Sequence, residues 1–244
     1  MKFSLPVFFL SMGLALHAQD PLQLHGSTTV QSALESKHAQ LEEMTGRKIE
    51  FYPVGTNPGL ASLAAGRADL AMLSTPLEEV ARKLNEKTPG AIDLRQYHAF
   101  EIGHVKIVFI INPRNTARKL SHAQLADILT GKTKNWKEVG GSDAAIVVVS
   151  LANAGSIMQT ALLEGAPITA RARLVTNATQ IPAVVAQEPA AIGIISTAHV
   201  RGPTSLVQTD TEIFVPLLLV TKGEPKPAEK ALIEAARKLL AQVH

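Results

Sequence analysis

The sequence predicts an α/β protein built as two lobes. Short apolar runs alternate with stretches of helical period along most of the chain. Beyond the first eighteen residues, the length sits near the upper edge for one core and divides naturally into two lobes of about 100 residues each. A long β-rich run, Tyr97–Ile111, breaks the alternation and passes through Gly103, where the chain is expected to cross between lobes.

Taken in order, Leu22–His25 reads as a short strand. Ser27-Thr28-Thr29 then opens a helix with the apolar stripe Val30, Leu34, Leu41 and Met44, stopped by Gly46. Lys48–Val54 is the next strand. Gly55-Thr56-Asn57-Pro58-Gly59 is a tight turn into a helix at Leu60–Ala65. Asp69–Ser74 is a buried strand, and Pro76 starts the following helix at its first turn. Such a βαβαβ run requires a parallel sheet with right-handed crossovers. After Thr88-Pro89-Gly90 and the crossing run come a helix opened by Ser121, a strand at Ala145–Ser150, and a helix after Gly155. A strand at Ala172–Val175, a helix at Ile181–Gln187 and a strand at Ala191–Ser196 follow. A return crossing is expected near His199–Thr204. Strand Ile213–Val220 and the amphipathic helix Ala228–Val243 rejoin the first lobe. The expected division is 1–18 as a signal peptide, 19–103 with 204–244 as lobe one, and 104–203 as lobe two.

Residues 1–18 have the shape of a secretory signal: Lys2, an apolar run, and Ala18 before Gln19. Leu16, large for the −3 position, leaves the cut point and an uncleaved anchor open as alternatives. The chain has no Cys, which removes a lipobox, a disulfide and a thiol nucleophile. Export without disulfides suits a bacterial periplasm. With 24 Lys and Arg against 21 Asp and Glu, the charge is close to balanced and argues for no nucleic-acid partner. The clusters Lys132/Lys134/Lys137 and Arg171/Arg173 read as solvated faces.

Three turns place backbone N–H groups and small hydroxyls where a strand meets a helix: Gly26–Thr29, Gly55–Gly59 and Gly155-Ser156. A helix N-terminus offers unpaired donors and a partial positive charge, so an anion is favoured there. Ser and Thr are also the ordinary capping residues, and each turn alone has that explanation. Together, in two lobes that face one another, they point to a cleft. No serine-hydrolase elbow, metalloprotease helix or P-loop is present. The eight His residues are scattered, with no metal-ligand spacing. Neither metal nor cofactor is expected. His25 reads as an exposed strand end, and Trp136, the only Trp, as core. Asp69 and Glu101 are the acids that an enzymatic reading would need, without an evident partner base.

The segment Leu120–Gly141, LSHAQLADILTGKTKNWKEVGG, resembles the periplasmic phosphate-binding (PstS-like) family through Leu120, Ser121, Gln124, Leu125, Ile128, Gly131, Asn135, Trp136, Gly140 and Gly141. Gly26–Thr29 is similar to that family's first phosphate loop, DLAMLSTPL from Asp69 to Leu77 to its D-I-x-x-x-S-R/D-x-P-L loop, and Ala190–Ser196 and Phe214–Gly223 to two of its strands. The resemblance implies a type II periplasmic-binding-protein-like fold, each lobe a mixed sheet flanked by helices. It also implies a monomer that binds a small anion without chemistry and serves an ABC permease or membrane sensor. On that resemblance the ligand-binding residues are Ser27, Thr28, Thr29, Thr56, Ser74, Thr75, Gly155 and Ser156. The departures bear on the ligand. Ser150 stands where the family has an Arg and Ala154 where it has a Ser. Ser74 and Thr75 are the nearest residues to the position of an acid or Arg. Without a charge-assisted bidentate partner, phosphate is the default ligand but a weakened one. The alternative is the same fold repurposed as an envelope sensory or protein-interaction module. Arg82, Arg95 and Lys134 are candidate replacements for the missing charge.

Overall fold

A computed structural model describes residues 20–152, 158 and 161–241. The expected signal segment, Gly155 and Ser156 lie outside the described residues.

Strand β1 (Leu22–Gly26) leads into α1 (Thr28–Glu35) and α2 (His38–Thr45), followed by β2 (Ile49–Tyr52), α3 (Thr56–Ala64), β3 (Leu70–Leu73) and α4 (Leu77–Lys87). The stretch expected as one helix is two. Ser36 turns its hydroxyl back to the Ala33 carbonyl at 2.9 Å, and the chain re-enters helix at His38. Val30, Leu34 and Leu41 are buried as expected, but Met44 is 43% exposed, because the break rotates the second helix. Gly46 closes α2 in the left-handed conformation at φ 64°. Helix α3 starts four residues before the expected point. Pro58 falls in its first turn, where a missing N–H costs nothing.

Strand β4 (Tyr97–Ile111) is one uninterrupted strand of 15 residues. After it come β5 (Lys119–Leu120), α5 (His122–Thr130), β6 (Val147–Leu151), β7 (Arg173–Val175), α6 (Gln180–Gln187) and β8 (Ala191–Ser196). The short strands β9 (Ser205–Leu206) and β10 (Gln208–Thr209) precede β11 (Ile213–Lys222) and α7 (Pro227–Leu240).

Among the described residues, nine strands form one sheet in the order β2-β1-β3-β11-β4-β8-β6-β7, with β9 also on β4. Strand β1 pairs in parallel with β2 and β3, as the βαβαβ reading requires. Strands β4 and β11 are antiparallel over Tyr97–Ile107 and carry the sheet from one half to the other. Their register shifts between Leu217 and Leu218, opposite the stretch from Glu101 to Gly103. Gly103 sits there at φ 149°, a conformation that side-chain-bearing residues avoid.

The cores follow the same division. Leu22, Leu24, Val30, Leu34 and Leu41 pack with Leu217, Leu219, Leu232 and Leu239. On the other sheet face, Leu60, Leu63 and Leu73 pack with Val80 and Val220. In the second half, Phe109, Leu125, Trp136, Ile192 and Ile213 form one cluster, and Ile110, Val149, Ile181 and Val185 another. The Leu120–Gly141 segment organises the first of these. Ser121 and Gln124 form a capping box on α5, and Gly131 ends it in the left-handed conformation. Trp136 is fully buried and donates its Nε1–H to the Ala190 carbonyl at 2.8 Å, so the expected core role holds. Gly141 is required beside it: an added Cβ would lie 2.8 Å from the Trp136 Cβ.

Candidate functional site

Because β1, β2 and β3 are parallel, the turns that leave them emerge at one edge of the sheet. That edge, at the carboxyl ends of the strands, is where open α/β sheets bind ligands. Glycine lets the turns meet. A Cβ on Gly26 would lie 2.1 Å from the Met72 carbonyl oxygen, and one on Gly59 would lie 2.4 Å from the Gly26 Cα. The Ser27 N–H donates to the Met72 carbonyl and the Gly55 N–H to the Gly26 carbonyl, both at 2.8 Å.

The outcome is a cluster of neutral hydroxyls. Ser27 caps α1, its Oγ accepting from the Thr29 N–H at 3.2 Å. The same hydroxyl donates to the Ser74 Oγ at 2.9 Å. Thr56, in the first turn of α3, places its Oγ1 3.3 Å from the Ser74 Oγ. Ser27, Ser74 and Thr75 are all buried. Three segments that are distant in sequence thus meet at Ser27, Thr56 and Ser74, with Thr75 beside them. Thr28 and Thr29 face a cavity of about 1110 Å³ instead.

That cavity has β4, from Glu101 to Ile107, and Phe214 and Leu217 of β11 as its floor. One wall is α1, through Thr28, Thr29, Ser32 and Ser36, with the end of α7 at Arg237 and Leu240. The other wall comes from the second half: Leu151, Asn177, Ile181, Ile194, Ser196, His199 and Arg201. Arg237 is committed within this frame. Its Nε donates to the Glu101 carbonyl at 2.7 Å, and its guanidinium lies 5.9 Å from the Phe100 ring centre. Ser196 Oγ lies 2.8 Å from His199 Nδ1. Burial lowers the His199 pKa from its usual value, and the charge of Arg201 lowers it further. Lys106 is ion-paired with Glu212.

Arg201, His199, Phe214 and Arg237 were not singled out by sequence reasoning. His199–Thr204 stood out only as a crossing. The one available signal for Arg201 was its place just beyond the carboxyl end of a buried strand. The cations raised as replacements for the missing Arg lie elsewhere: Arg82 pairs with Glu86 and Arg95 with Asp93, both on the surface, and Lys134 is exposed. Ser150, which the resemblance sets at the position of that Arg, is fully buried and its hydroxyl donates to the Leu151 carbonyl at 3.4 Å. Asp69 accepts from the Gln23 N–H at 2.9 Å and so anchors β1. His25 is not an exposed strand end. Its ring lies 4.5 Å from that of Tyr52, and its Nε2 is buried without a hydrogen-bond partner among the described residues. Burial, then the charge of Arg67, lowers its pKa, against an opposing effect of Asp69. Among the described residues, no group of three or more His, Asp or Glu could hold a metal ion, and no helix is long and apolar enough to cross a membrane.

Residues 15–236 match the family described as PBP superfamily domain. The phosphate-binding protein PstS of Bacillus subtilis is 25% identical over 186 residues, covering 75% of this chain and 59% of that protein. PstS of Staphylococcus epidermidis is 32% identical over 120 residues, covering 48% of this chain and 35% of that protein. The chain therefore spans less than two thirds of the length of these relatives. A crystal structure of an ABC-type phosphate transport receptor from Vibrio cholerae superposes with a TM-score of 0.74 at 21% identity, covering 91% of this chain and 97% of that one. A phosphate-bound ABC transporter substrate-binding protein from Clostridium perfringens gives a TM-score of 0.72 at 26% identity, covering 88% and 92%. Its parallel β1–β2–β3 edge, its two long shared strands and this match over most of its length show that the chain belongs to the PBP superfamily, alongside the PstS-like substrate-binding proteins.

Proposed function

We propose that this protein is a periplasmic solute-binding protein that captures a small oxyanion, phosphate by default, between two lobes and presents it to an ABC permease or a membrane sensor. The lobes are 19–103 with the chain after about Ile213, and 104 to about Ile213, a later return crossing than the expected 199–204, because β9, β10 and Ile213 pair and pack with the second half. Its activity is binding, not catalysis. Residues 1–18 would direct export and be removed, and the mature protein would act as a monomer. The observation that carries this reading is the meeting of Ser27, Thr56 and Ser74 at the N-terminal ends of α1 and α3. Hydroxyl donors there add hydrogen bonds to the helix-end field without adding charge. Gly155 and Ser156 would close on the anion from the second lobe. Lobe closure would be a hinge motion along β4 and β11 that the ligand selects.

A hydrogen bond to a charged acceptor contributes about 1.5–3 kcal/mol. Replacing Ser27 and Thr28 together by Ala should therefore weaken an oxyanion by about two to four decades. The assay is thermal unfolding with millimolar phosphate, sulfate or molybdate. A ligand at about 100 times its Kd stabilises by about 2.7 kcal/mol, or about 5–10 °C for a chain of this size. A shift that survives the double substitution refutes the site. Ser150 gives a second reading its support, since a neutral buried residue replaces the charged partner. On that reading the fold serves as an envelope sensory or interaction module, and none of the anions moves the melting temperature.

A further inference from the structure

The cavity is far larger than an inorganic oxyanion needs. Pockets for drug-sized molecules run to about 300–1,000 Å³, and this one reaches about 1110 Å³. Its lining is also of the wrong kind for a phosphate ion alone. Ile107, Ile194, Leu217 and Leu240 face it, and apolar surface adds nothing to the binding of a bare, fully hydrated anion. Phe214 is the most telling residue. It lies on the cavity floor, yet 46% of its surface is exposed, while its strand neighbours Ile213 and Val215 are buried. The His104 ring meets it edge-on, at 5.0 Å between centroids and 88° between planes. That contact steadies the ring while leaving surface open. A steadied, half-exposed aromatic on a cavity floor is a platform on which a flat apolar group can stack. The polar end of the same cavity is supplied by Thr28 and Thr29, on the turn that Ser27 caps, and Arg201 adds a cation to its lining.

We propose that the ligand is an organic oxyanion, with its acid group at the Ser27–Thr29 turn and an apolar body over Phe214. The proposal rests on the reading of that turn as an oxyanion site, and it names the class of substrate. It also accounts for the neutral residue at position 150. Burying an apolar body supplies affinity that a second charge-assisted contact would otherwise have to provide.

The test compares matched pairs of anions by calorimetry on the mature protein: phenyl phosphate against inorganic phosphate, and benzoate against acetate. The expected result is that at least one aromatic member binds about tenfold or more tightly than its bodiless partner. Phe214→Ala should then collapse that ratio towards one, and Phe214→Leu should restore part of it. Because Phe214 is half-exposed and the buried Ile213 and Val215 hold the strand, both variants should fold, and their melting temperatures verify this. Equal binding within both pairs, or a ratio untouched by Phe214→Ala, overturns the proposal while leaving an oxyanion site intact. If none of the four anions binds, the oxyanion reading and this proposal fall together. Whether phenyl phosphate or benzoate carries the margin identifies the acid group.

Discussion

Gly59→Ala should loosen the hydroxyl cluster without touching any of its members. Elsewhere in a helix this substitution gains about 1 kcal/mol from propensity. Here the new Cβ would lie 2.4 Å from the Gly26 Cα, 2.6 Å from the His25 carbonyl oxygen and 3.0 Å from the Gly26 nitrogen. All three are backbone atoms, so no side chain can rotate aside. Helix α3 must instead lift from β1 by about 1 Å to reach ordinary contact. Overpacking of this kind costs about 1–3 kcal/mol, and the rigidity of the neighbours puts the cost in the upper half of that range. Net destabilisation is then about 1–2 kcal/mol. For a chain of this length that lowers the melting temperature by about 2–8 °C. The shift also carries Thr56 away from Ser74, now 3.3 Å apart, so the response to the anion panel should shrink together with stability. Thermal unfolding with and without ligand measures both effects. A variant as stable as the parent, or one with undiminished ligand response, would show that α3 and β1 are not locked as argued.

Two further outcomes follow from particular contacts. Trp136→Phe removes the Nε1–H bond to the Ala190 carbonyl, which keeps the Val147 N–H at 3.0 Å as a second donor. Denaturant unfolding should therefore show a loss of only about 1–2 kcal/mol, and a loss beyond twice that would mean that the indole carries more of the second core than its single bond implies. Stability should also fall on acidification. Burial holds both His25 and His199 below the ordinary 6.5, so the unfolded chain takes up these protons first. Their contribution is complete above about 6.5 and is lost as the pH falls through that value towards the lowered ones. Substituting both by Gln should flatten the profile below about pH 6.5, and an unchanged slope would assign the pH dependence to other groups.

Much of this architecture was legible because it obeys local rules. The run Tyr97–Ile111 is rich in aromatic and β-branched residues and free of breakers except Gly103, and it is one strand over that span. Ser27, Thr56 and Ser74 stand where strands end, so parallel pairing alone brings them to one edge. Local reasoning went wrong where signals conflict. Gly55–Gly59 looked like a turn because Gly and Pro usually mark one, but Pro58 suits a first helical turn and α3 begins at Thr56. The break between α1 and α2 carries neither Gly nor Pro and could not be seen. The cavity lining was out of reach for a different reason. Thr28, His199, Phe214 and Arg237 come from four distant segments, and no spacing in the sequence relates them before the sheet brings them together.

The way the first core is assembled also sets an order of events as the chain emerges into the compartment where it folds. Leu22, Leu24 and Leu41 find their partners in Leu232, Ala236 and Leu239, near the other end of the chain. A chain that crosses a membrane N-terminus first leaves those early side chains without their cover until the last helix has followed. The middle of the chain has no such wait, since the cluster from Phe109 to Ile213 closes within itself. The half that bears Ser27, Thr56 and Ser74 is the last to become solid, and a chain stopped after Lys222 would hold every hydroxyl of the cluster and lack the helix that seats α1 and α2.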